Sequence, residues 1–235
     1  MATTLLPELA PLTFSWGFIR AGTVTVQEQL RSWLLGIGVP CIVREVDRPL
    51  NEALLTLSPL TLPPSKRLLL ATQSEWTACF DNGVNGADLL SFMTVLTDRL
   101  RCEGLVLRCV NDRRMYSSRD REDHLTHLGL EFFRPGPEPS VGPERAISLR
   151  QYYGKWKFSA GGPPLPAEDT SRYEKTPTQD RLTLDLIDSY CRSLGLAPFE
   201  SEFYLPQGHM IDSYSSSSIK YSIMLSLPEA GAVFT

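Results

Sequence analysis

Hydrophobic positions along the chain switch between a period of two and a period near 3.6, and the switches mark its elements. Leu12, Phe14, Trp16 and Phe18 alternate with Thr13, Ser15 and Gly17, which predicts a half-buried strand. Val26, Leu30, Trp33, Leu34 and Ile37 then keep helical spacing behind Thr25 and Glu28, an S/T-x-x-E capping box, with Gly36 and Gly38 as stop signals. Strand character returns at 41–46, and a Pro- and Leu-rich stretch at 49–66 holds a short helix near 50–57. Residues 67–72 and 75–81 predict two adjacent strands, the second with Trp76, Ala78 and Phe80 on one face. A helix over 87–102 carries the stripe Leu89, Met93, Leu96 and Leu100, with Asp88 in its first turn and Arg99 and Arg101 in its last, as the helix dipole prefers.

Beyond a strand at 105–110 the pattern weakens. Residues 111–144 run from charged NDRRMYSSRDRED to RPGPEPSVGPE and read as an irregular loop or linker. Strands are predicted again at 146–149 and 155–158. Thr176, Pro177 and Gln179 offer a second capping box ahead of the apolar face Leu182, Leu186, Ile187, Tyr190, Cys191 and Leu194, closed by Gly195 and Pro198. Ile219, Tyr221, Ile223, Leu225 and Leu227 alternate as a last strand, approached by a serine-rich loop at 213–218. The sum is an α+β fold: a mixed, largely antiparallel sheet with about three main helices packed on it. Its 235 residues fit a single domain, in which the Pro/Gly-rich stretch near 111–144 is the one place for a boundary between two subdomains.

Composition narrows the function classes. A hydrophobic fraction of 42% builds a real core, and a net charge of −4 lacks the basic field that general nucleic-acid or anionic-membrane binding wants. Cys41, Cys79, Cys102, Cys109 and Cys191 are odd in number and scattered in apolar surroundings, which suits free thiols in a reducing, cytoplasmic setting. Met1–Ala10 lacks the pattern of a signal peptide, and no apolar run has the length of a membrane helix. No membrane role and no nucleic-acid role are expected.

Four stretches could carry chemistry. In SEWTACFDNGVNGAD a glycine loop precedes a helix, but it lacks the lysine and hydroxyl of a phosphate loop, and Asp81 and Asp88 would repel a phosphate. Glu75, Trp76, Asp81, Asn82 and Asp88 form the candidate cleft, in which carboxylates would hold a cation or a basic side chain; otherwise they make a turn with a helix-capping acid. His124 and His127 in EDHLTH lack a third ligand at metal spacing and read as a solvated helical turn, while lone His209 reads as loop. RQYYGKWKF resembles a base-stacking surface locally, but its alternation predicts a strand with Trp156 and Phe158 inward and Lys155 and Lys157 in water. Finally, charge is blocked: seven arginines against three acids in 99–121, ten acids against five bases in 158–229.

No nucleophile motif, cofactor loop or metal cluster emerges, so no catalytic residue, metal or cofactor is assigned. The expectation is an intracellular, non-enzymatic protein-binding protein of the inhibitor or immunity type. Its acidic surface, with Glu168, Asp169, Asp180, Asp185 and Asp188, would meet a basic protein partner. The alternative is an enzyme of unrecognised class working through Glu75, Asp81 and Asp88, with or without a divalent metal.

Overall fold

The computed structural model describes residues 4–115, 123–138, 142–152, 154–213 and 223–233. Its strands are β1 (Ser15–Ile19), β2 (Cys41–Asp47), β3 (Leu60–Leu62), β4 (Lys66–Thr72), β5 (Thr77–Asp81), β6 (Gly104–Met115), β7 (Asp123–Phe133), β8 (Arg145–Tyr152), β9 (Lys155–Gly161), β10 (Tyr204–Ser213) and β11 (Ile223–Leu225). Nine of them form one sheet in the order β2-β10-β4-β5-β1-β6-β7-β8-β9, and every pairing in it is antiparallel. The helices are α1 (Thr23–Gly36), α2 (Leu50–Leu55), α3 (Leu90–Leu100), α4 (Leu184–Ser193) and α5 (Leu227–Val233). The fold is α+β. Among the described residues no helix is long and apolar enough to cross a membrane.

The side-chain alternation of each strand feeds two cores. On one face α1 and α3 set Val26, Leu30, Phe92, Met93 and Leu96 against Ile19, Leu69, Cys79, Val106 and Ile211. On the other, α2 and α4 join Trp16, Phe18, Leu68, Leu70, Ala78, Phe80, Leu105, Leu107, Leu130, Phe132, Ile147 and Leu149. Each fully buried leucine or phenylalanine in these layers contributes about 1.5–3 kcal/mol. Covered on both sides, β1 and β5 are buried at every position, where alternation alone predicts a half-buried β1.

Several expectations change. The stretch at 111–144 is not a linker throughout: β6 runs on to Met115, and Asp123–Phe133 is the eleven-residue β7, paired with both β6 and β8. Residues 116–122 and 139–141 lie outside the described ones. His127 therefore sits on a strand rather than a helical turn, and His209 lies in β10 rather than a loop. The backbone of His124 is also in β7. α1 starts at Thr23 with Gly22 as its N-cap, which places Thr25 inside the helix. α4 starts later than the Thr176 box implies. Residues 178–181 form a 3₁₀ turn, and Thr183 is the true cap, its hydroxyl accepting the Leu186 N–H at 3.3 Å. Of the last predicted strand, only Ile223–Leu225 is extended, paired with β3, and Leu227 opens α5; Ile219, Tyr221 and residues 214–218 lie outside the described residues.

Candidate functional site

The predicted carboxylate cleft is taken up by the fold. Glu75 lies in the bend before β5 and Asp81 is its last residue, so the length of the strand, about 13 Å for Thr77–Asp81, stands between them. Glu75 is exposed and bound to Arg20, whose Nε and Nη2 reach it at 2.8 and 2.5 Å, while Arg20 Nη1 reaches Glu103 at 2.8 Å. These two carboxylates raise the Arg20 pKa. Trp76 is 2% exposed, and its indole N–H donates to the Leu194 carbonyl at 3.1 Å, tying β5 to the end of α4.

Asp81 and Asn82 organise the loop behind β5. The Asp81 carboxylate accepts the N–H groups of Gly83 at 2.8 Å and Asp88 at 3.0 Å, closing the DNGVNG loop ahead of α3. Burial pushes its pKa up to about 6, against the pull of the Gly83 N–H, the Arg67 charge and the Asp88 N–H. Asn82 is fully buried: its Oδ1 accepts the N–H groups of Ser65 at 2.8 Å and Lys66 at 2.9 Å, and its Nδ2 donates to the Pro59 carbonyl at 2.8 Å. Asp88 is exposed and gives the loop its backbone N–H. Among the described residues, no three His, Cys, Asp or Glu side chains are grouped to hold a metal.

The predicted acidic surface loses its first member. The Glu168 side chain is fully buried and bound to Arg145, which also donates to the carbonyls of Gly161 at 3.1 Å and Gly162 at 2.7 Å. Tyr173 O–H and the Leu165 N–H complete its shell, at 2.5 and 3.0 Å. Glu168 is thus a staple holding the 162–175 segment to the end of β8. Asp188 is bound to Arg192 at 2.7 Å, and Asp169 to Ser171 at 2.5 Å. Asp169, Asp180 and Asp185 remain exposed.

What the structure does assemble lies on β6–β9, on the face that α1 and α3 cover elsewhere. Their apolar residues Leu128, Leu130, Ile147, Leu149, Trp156 and Phe158 all turn to the opposite core. The alternate positions therefore bring together Arg108, His127, Glu131, Ser148, Arg150, Lys155, Lys157 and Ser159. The ladder sets His127 opposite Arg150 and Arg150 opposite Lys157; the adjacent row runs Arg108, Gly129, Ser148 and Ser159. Arg150, Lys155, Lys157 and Ser159 are exposed.

His127 is the hinge of this surface. It is 8% exposed, and its Nε2 accepts the Arg150 Nε–H at 3.2 Å. Burial first, then the charges of Arg150 and Arg108, hold its pKa down to about 3, so the ring is a neutral acceptor near pH 7. The ring lies over Gly129, where a Cβ would come within 3.0 Å of Nε2. Arg108 faces Glu131 at 3.7 Å, and the hydroxyls of Ser148 and Ser159 meet at 2.8 Å. Among the described side chains, four cations against one carboxylate leave this part of the face positive. The sequence scatters these residues over an arginine block, EDHLTH and RQYYGKWKF. The alternation Leu128, Leu130, Phe132 against Gly129 and Glu131 was the signal that could have joined them on one strand face.

No family model, curated protein or solved structure matches this chain.

Proposed function

We propose that the chain is a non-enzymatic binding protein of the inhibitor or immunity type, which meets an acidic protein partner with the open face of β6–β9. One observation carries this reading: Arg150 and Lys157 stand directly opposite each other on adjacent strands, and Arg150 turns its Nε–H to a neutral imidazole instead of a carboxylate. Like charges in opposed positions destabilise a sheet, and such local conflicts concentrate where function requires them. An incoming carboxylate removes the conflict. The net charge of −4 works against polyanions approaching the molecule as a whole, which favours a limited acidic patch on a protein over nucleic acid. A basic partner on the acidic surface is the weaker choice, because Glu168 is internal and Asp188 is bound to Arg192. An enzyme built on Glu75, Asp81 and Asp88 has little support from groups so placed. A reducing, cytoplasmic setting belongs to the same proposal and rests on the five free cysteines.

The test is affinity capture from the native host with three baits: the wild type, Arg150→Glu/Lys157→Glu, and Asp180→Lys/Asp185→Lys, each checked for an unchanged melting curve. A stoichiometric acidic protein should bind the first and third baits and be lost from the second. Retention by the second bait, loss from the third alone, or no stoichiometric partner for the wild type overturns the proposal.

A further inference from the structure

Building on that binding reading, we infer that the partner docks by strand addition: an extended segment with acidic residues at alternate positions lines up along the outer edge of β9. β9 is the end strand of the sheet and pairs with β8 alone among the described strands; the 3₁₀ turn at 178–181 packs against it, with no backbone hydrogen bond between the two among the described residues. Its outer row of backbone N–H and C=O groups is therefore a template for another strand. Lys155, Lys157, Ser159, Ala160 and Gly161 are all exposed along it.

The side chains of β9 fix what the added strand carries. Lys155 and Lys157 point to the positive face, two residues apart, so acids two residues apart on the incoming strand fall beside them. Trp156 and Phe158 point to the other face, where they are half-buried and Phe158 packs on Tyr173 with ring centroids 4.7 Å apart. Apolar residues between the acids would extend that layer. Edge lysines alone also serve to keep sheets from pairing with each other. That role does not account for Arg150, which places a further positive charge one strand inside the edge, directly opposite Lys157. Pinned towards His127 on β7, Arg150 is turned away from the edge and contributes its field, while the lysines make the contacts.

The test uses the full-length protein and the peptide acetyl-Thr-Glu-Val-Glu-Val-Glu-Thr-amide. Three further peptides accompany it: one of equal composition with the glutamates contiguous, and two N-methylated at alternate residues in the two complementary registers. In a strand the N–H groups point alternately to either side, so one methylated register must lose affinity by about tenfold or more while the other binds like the parent. Slowed amide exchange should appear within Lys155–Gly161, and Lys157→Glu should weaken the parent peptide more than Arg150→Glu does. Equal binding of both methylated peptides, equal binding of the contiguous-glutamate peptide, or no binding at millimolar peptide overturns strand addition. The capture experiment with Arg150→Glu/Lys157→Glu decides the positive face separately, so either idea can fail without the other.

Discussion

Asp81→Asn removes the buried carboxylate of the 81–88 loop while keeping its shape. Asp81 is 1% exposed, and burial lifts its pKa to about 6 from an ordinary 3.8 despite two N–H donors and the nearby Arg67 charge. Because the folded value lies above the unfolded one, the folded state holds this proton more tightly. The stability that follows is fully present below the unfolded pKa of 3.8 and is lost as pH rises through about 6. That interval is worth about 3 kcal/mol. Asparagine cannot titrate, so the stability gap between wild type and variant isolates Asp81 from every other carboxylate. The variant also turns an amide N–H₂ towards one of the two loop N–H groups, at a cost of about 1–3 kcal/mol that does not change with pH. Urea unfolding at steps from about pH 4 to about pH 7.5 should show the wild type ahead at the acid end and the gap shrinking by about 2.5 kcal/mol. A gap that stays constant, or widens with rising pH, refutes the reasoning and makes Asp81 a carboxylate whose charged form the loop stabilises.

Two further outcomes test the internal contacts. Glu168→Gln leaves the Arg145 guanidinium buried without a charge partner and should cost about 3–5 kcal/mol in denaturant unfolding, where an exposed pair would cost under about 1. Gly129→Ala drives a methyl group to 3.0 Å from His127 Nε2 and should displace the ring from the Arg150 Nε–H. The imidazole carbon signals in NMR should stay neutral in the wild type down to about pH 4 and titrate nearer the ordinary 6.5 in the variant; a wild-type ring titrating near 6.5 would undo the account of this surface.

The elements that could be read from sequence are those whose burial follows a single period. α1, α3 and α4 each pack one stripe on the sheet, and Met93 and Leu96, or Ile187, Tyr190 and Cys191, show it directly. β10 was hidden because Pro206 and Gly208 interrupt it, yet both fall where its register with β4 shifts, between Tyr204 and Gly208, so the missing proline N–H breaks no regular ladder there. β7 was obscured by its polar face, since His127, Gly129 and Glu131 make a poor strand by composition but a good one by alternation. The internal roles of Asp81 and Asn82 were illegible for a different reason. Asp81 and Asn82 look the same in sequence whether their oxygens face a ligand or a backbone N–H, and only the path of 59–66 beside them decides it.

β10 lies between β2 and β4, although β4 ends at Thr72 and β10 begins at Tyr204. On the ribosome, the early strands β4, β5, β1 and β6 can assemble in order, but β2 has no neighbour to join until Tyr204–Ser213 is made. Until then the flank of β4 stands open, with Leu68, Leu69 and Leu70 along it. Such a chain commits late: a stalled or prematurely terminated product carries an open edge on β4, where β10 and then β2 would complete the sheet, ready to accept a strand from another molecule. Any shortened version ending before residue 204 should therefore aggregate rather than bind.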